Sequence, residues 1–175
     1  MAAVLVPLAI AALSGCTDAP SPARSHPAAT PTPTPISTSD ADALAAATEA
    51  YKQYLAVIDQ IAQDGGKDPD RVKPYVDAAG LTHERHEAQR LAGAGARQIG
   101  STVLAATSLQ VNEAQRVVIN ACQDVSAVQV VDSSGASLVA KDRPDEIPYQ
   151  ATFTRRGGSL VMVADEFWSG PDVCN

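Results

Sequence analysis

From residue 40 the chain sets apolar side chains every three or four positions: Leu44, Ala47, Tyr51, Leu55, Ile58 and Ala62. That period describes one face of a helix and predicts a helix over 40–63. Ser39 stands at the N-cap, Asp40 and Asp42 occupy the first turn, and Gly65-Gly66 stops the helix. Asp68-Pro69 is a second start signal, because proline suits the first helical position. Val72, Tyr75, Val76 and Ala79 make a short apolar face, but Pro74 interrupts it and Gly80 ends it. The segment therefore reads as one or two broken turns. A third helix is predicted over 82–94, with Ala88, Leu91, Ala92 and Gly95 toward the core.

The period then falls from 3.6 to 2. Residues 97–111 and 116–132 are two β-rich runs, the second long enough to bend or break, and Ser133-Ser134-Gly135 is a turn. Residues 147–156 alternate cleanly, with Ile147, Tyr149, Ala151 and Phe153 on one face and Gln150, Thr152 and Thr154 on the other. Gly157-Gly158 turns this run into 159–168, which predicts a hairpin. Helices followed by antiparallel strands predict an α+β domain over 39–175.

The chain ahead of that domain has no such pattern. Residues 2–13, "AAVLVPLAIAAL", are uncharged and apolar. A spanning helix needs about 20 such residues. The length suits the core of a secretory signal, here 1–15. "LSGC" at 13–16 resembles the bacterial lipobox, although the basic residues usual before the apolar core are absent. The resemblance implies a lipidated Cys16, carrying palmitate-type acyl chains, as the first mature residue. Two such chains anchor stably where one is marginal. The alternative is a plain cleaved signal with an incidental cysteine. Residues 16–38 form a tether rich in Pro, Thr, Ser and Ala with almost no apolar bulk, so they build no core. In polyproline II form, at about 3.1 Å per residue, the tether would reach roughly 70 Å.

Charge narrows the partners. The net charge of −7 falls entirely on the mature chain. It argues against nucleic acid and against flat binding to an anionic leaflet, so the lipid on Cys16 has to supply attachment to the cell membrane. Cys122 and Cys174 are an even pair in an exported domain, which reads as a disulfide; two free buried thiols are the alternative. The bridge would close a loop of about 50 residues, worth about 4 kcal/mol in the chain-entropy model. No Cys-x-x-Cys is present to indicate zinc or thioredoxin-type redox chemistry.

The long first helix, "GARQIG", "CQDVSAVQVVDSSG", the "ATFTRRGGSLVM" hairpin, and Trp168 shortly before Cys174 together resemble the nuclear-transport-factor-2-like (SnoaL-like, cystatin-like) cone, particularly its exported actinobacterial members. The resemblance spans about 42–175. It implies helices packed on a strongly curved antiparallel sheet. That fold hosts isomerases, dehydratases, ligand binders and assembly proteins, so it does not choose a function.

The candidate chemistry is thin. His83 and His86 in "THERHE" lie three apart and could share a metal with Glu87. They fall with Glu87 and Arg90 opposite Leu81, Ala88, Leu91 and Ala92, as a solvated face does. No metal is therefore expected. Asp165 and Asp124 lie in strands, and Asp165 is expected to share a face with Val161, Val163 and Phe167. In enzymes of this fold, acids and tyrosines projecting into the cone transfer protons, which makes Asp165, Asp124, Tyr51 and Tyr54 weak catalytic candidates. The simpler reading of Asp165 is a strand-end acid facing water or Arg155 and Arg156. Tyr149, Phe153, Phe167 and Trp168 gather on the last hairpin, either as packing or as the wall of a ligand or partner surface. No phosphate-cradling loop, dinucleotide fingerprint or nucleophile elbow occurs, and His26, the one other histidine, lies in the tether.

The expectation is a lipoprotein on the outer face of the cell membrane, its cone domain a binding or scaffolding module without activity or cofactor. Its partner would be a protein or a small molecule. The alternatives are a small-molecule isomerase or dehydratase, and an accessory subunit of an envelope transport or secretion complex.

Overall fold

The computed structural model describes residues 39–171, 173 and 174. Cys16, His26, the leader and the tether lie outside the described residues. Helix α1 (Asp40–Gln63) starts where the pattern placed it. The Ser39 hydroxyl accepts from the Asp42 N–H at 3.1 Å and donates to the Asp42 carboxylate at 2.7 Å. The buried line runs through Ala43, Ala47, Tyr51, Tyr54, Leu55 and Ile61, while Leu44 and Ile58 flank it half-buried.

A short 3-10 helix (Pro69–Val72) follows, and then helix α2 (Ala78–Gly93). The start predicted at 82 is corrected: Asp77 caps the helix by accepting from the Gly80 N–H at 2.8 Å. Gly80 therefore lies inside the first turn instead of ending the preceding one. Of the four residues expected in the core, Ala88 is buried and Leu91 half-buried, but Ala92 and Gly95 are exposed. The inward line is Leu81, Glu84, Ala88 and Leu91, one polar position in an otherwise apolar stripe.

Each long β-rich run splits in two. The first becomes β1 (Arg97–Ile99) and β2 (Val103–Asn112); the second becomes β3 (Arg116–Asp124) and β4 (Gln129–Val131). The break after β1 is at Gly100, with φ of +78°, where any Cβ would collide with the Ala127 carbonyl oxygen. Only glycine permits that approach. The predicted hairpin is β5 (Glu146–Arg156) and β6 (Ser159–Phe167), joined through Gly157 and Gly158, both at positive φ as a two-residue hairpin turn requires.

The main sheet is antiparallel in the order β2-β3-β5-β6, and β1 pairs with β4 apart from it. Register shifts at Leu104/Ala106 and Leu109/Val111 in β2, and opposite Thr152/Phe153 in β6, are bulges, which bend and twist strands. Val117, Ile119, Ala121, Ala151 and Phe153 face the helices and form the core with Tyr51, Val72 and Met162. Tyr75 and Asp77 hydrogen-bond the Met162 backbone, covering part of the β6 edge. This is the expected α+β architecture of helices on a bent antiparallel sheet. Cys122 lies on the opposite face of β3 and is bonded to Cys174, with the Cα atoms 5.0 Å apart. Among the described residues no helix is long and apolar enough to cross a membrane.

Candidate functional site

Tyr51 and Tyr54 are one turn apart on α1 and turn the same way, so their rings stack with centroids 6.0 Å apart. Phe153 meets Tyr51 edge-on at 6.3 Å. Beneath them β3 carries its inward set Val117, Ile119 and Ala121 on to Gln123, a polar residue in an apolar period. Gln123 Nε2–H donates to the Tyr51 hydroxyl oxygen at 2.6 Å. That hydroxyl in turn donates to both oxygens of Asp165, at 2.8 and 2.9 Å. The Tyr54 hydroxyl donates to Glu84 Oε1 at 2.7 Å. One connected set of side chains thus links α1, α2, β3 and β6.

The placement of Asp165 corrects the simple alternation. In the register Thr154 faces Val161, Phe153 faces Met162, Thr152 faces Ala164 and Ala151 faces Asp165. The bulge inserts Val163 as an extra residue, so Asp165 shares its face with Met162 and Phe167, while Val161 falls on the other side. Asp165 therefore faces the helices and not Arg155 or Arg156.

Burial pushes the Asp165 carboxyl up to about 7; the Tyr51 hydrogen bond opposes that rise and the charge of Glu84 adds to it. Burial, then the charge of Asp165, pushes the Tyr51 hydroxyl well above the ordinary phenol range. Burial, then Glu84, does the same to Tyr54. Tyr149 is raised to about 12, first by burial and then by Asp165. Near neutral pH, Asp165 alone of these groups exchanges a proton readily.

The set opens into a cleft of about 1010 Å³ between α2 and β6. Met162, Val163 and Asp165 form one wall, His83, Glu84 and Glu87 the other, and Tyr149 and Phe167 the end. The last two rings stack at 4.8 Å, and Phe167 is 74% exposed. The other aromatic candidates are elsewhere. Phe153 is 1% exposed and belongs to the core, a correction to its place in a surface wall. Trp168 donates its indole N–H to the Pro171 carbonyl at 2.8 Å and does not line the cleft.

Asp124 also separates from the others. It ends β3 on the face away from the helices, where the Ser126 hydroxyl and N–H hold its carboxyl below the usual range. His83 and His86 are both exposed; His83 stands at the cleft mouth, and Glu87 is taken up by Arg90 at 2.7 Å. Among the described residues, the one close grouping of three metal-type donors is Cys122, Glu146 and Cys174. Its sulfurs are joined to each other and are not thiolate ligands. Gln123 and Glu84 were not anticipated. Their signal was a polar residue at an inward position of an apolar period.

No family model matches the chain, and no curated protein does. Solved structures do match. The intermembrane-space region of the chloroplast protein ARC6 has a TM-score of 0.52 at 10% identity, over 71% of this chain and 95% of that one. Aln2 from a Streptomyces species has a TM-score of 0.47 at 18% identity, over 70% of this chain and 88% of its own. A protein from Catenulispora acidiphila has 0.43 at 14%, over 71% and 91%. At 10% identity the likeness to the ARC6 region concerns the fold alone, an α+β layering of helices on an antiparallel sheet.

Proposed function

We propose that the protein is an exported, lipid-anchored module whose domain binds a small molecule in the cleft between α2 and β6. The observation that carries the binding half is the cleft itself. Its wall carries Asp165, a desolvated acid hydrogen-bonded from behind by the buried Tyr51, and its end a stacked, exposed aromatic pair, so apolar surface and placed polar groups meet in one concave site as they do in ligand sites. The anchor half rests on "LSGC" and the Pro/Thr-rich run behind it. The test has two arms. The mature protein should partition into the detergent phase and Cys16→Ala should not; equal partitioning ends the anchor reading. A screen of small aromatic fragments by NMR on the full chain should shift Tyr149, Phe167 and Asp165 together. Fragments that shift only residues outside the cleft end the binding reading.

One observation favours a second reading, proton transfer within the cleft. A carboxyl held at about 7 is suited to act as a general base or acid near neutral pH. Turnover of an enolisable substrate that Asp165→Asn abolishes without unfolding the domain would establish it over plain binding.

A further inference from the structure

We infer that the ligand of this cleft is a small organic cation, an ammonium group carried on an apolar or aromatic body, seated with its charge on Asp165 and its body against Tyr149 and Phe167. The inference rests on the cleft being a ligand site and names the class of ligand. Three features point to it. Asp165 is offered one proton by the protein among the described residues, from the Tyr51 hydroxyl. A carboxylate accepts about four hydrogen bonds, so capacity remains on the side open to the cleft. An ammonium group brings three donors and the compensating charge. Next, no lysine or arginine lines the cleft, while Glu84, Asp165, Glu166 and the Arg90-paired Glu87 do and His83 is the one basic side chain, so the lining favours a cation over an anion. Lastly, the Tyr149–Phe167 pair presents an exposed aromatic surface within the same cleft. Such a ring holds the apolar body of a cation and attracts its charge.

This binding mode couples to protons. The ligand's charge and the proton compete for one carboxyl, so a bound ammonium expels the proton from Asp165. The titratable and polar groups that share the cleft or the hydrogen-bond set with that carboxyl are Tyr51 and Tyr54 from α1, His83, Glu84 and Glu87 from α2, Gln123 from β3, Tyr149 from β5 and Glu166 beside it on β6. The tyrosine hydroxyls are raised and stay neutral through the pH range used.

Calorimetry, with NMR to locate the binding, on the full chain in a neutral detergent tests this with three probes of one shape: phenethylammonium, 2-phenylethanol and 3-phenylpropanoate. The ammonium should bind best. With Asp165 at about 7, its affinity should fall about 30-fold from pH 8 to pH 5.5, and binding at pH 6 should release about 0.9 proton. Asp165→Asn should remove both the preference for the cation and the pH dependence, whereas Asp124→Asn, the same change on the far face of the sheet and outside the cleft, should leave both in place. If the alcohol or the carboxylate binds as well as the ammonium and shifts Phe167, the cleft remains a ligand site and the cation inference falls. If none of the three shifts a cleft residue, both readings fall. Retention of the cation preference in Asp165→Asn would also overturn the inference.

Discussion

Replacing Asp165 by Asn should make the protein more stable above neutral pH and leave it nearly unchanged in acid. The amide keeps the shape of the carboxyl and still accepts from Tyr51, so the variant isolates charge from packing. In the folded chain the carboxyl titrates at about 7, and burial is the main cause. In the unfolded chain it titrates at about 3.9. Between those values the folded state holds a proton that the unfolded state has lost. The acid's contribution to stability is therefore intact below about pH 4 and declines until about pH 7. At about 1.4 kcal/mol per pH unit, wild type loses roughly 1–2 kcal/mol from this group by pH 5 and roughly 4 by pH 8. Denaturant unfolding of both proteins at pH 5, 6, 7 and 8 should show the variant's advantage growing by about 2–3 kcal/mol across the series. A constant difference would mean that Asp165 ionises like a surface acid, and the account of a desolvated carboxyl in the cleft wall would fail.

Tyr51→Phe removes the donor that favours the Asp165 carboxylate, so the Asp165 midpoint should rise by about one unit, since a hydrogen bond to a charged group is worth about 1.5–3 kcal/mol and water in the cleft recovers part of it. Carboxyl-carbon NMR reads the shift directly, and an unmoved midpoint would deny the bond its role. Removing the Cys122–Cys174 bridge by double alanine substitution should cost about 2–5 kcal/mol in denaturant, because it frees a long loop in the unfolded chain. Non-reducing peptide mapping of the native protein should find the same two peptides joined, and two fully alkylatable thiols would contradict the bridge.

The elements that depend on near neighbours were legible from the chain alone. The extent of α1 follows from a 3.6 period bounded by Ser39 and Gly65-Gly66, and the last hairpin follows from alternation on either side of two glycines. These are decisions made within one turn or one strand pair. The site was legible only in part. Asp165, Tyr51 and Tyr54 were candidates by residue type, but the hydrogen bond from Tyr51 to Asp165 joins positions 114 apart, and Gln123 enters from 72 residues away. Alternation placed Asp165 beside Val161. The bulge at Val163 set it beside Met162 instead, because one extra residue reverses which side of the sheet the following side chains take. The same limit accounts for the split strands, since Gly100 breaks the first run only where it approaches the Ala127 carbonyl. Period and turn chemistry decided which elements form. Packing between distant elements decided which polar groups lost their water, and so which carboxyl can hold a proton near neutral pH.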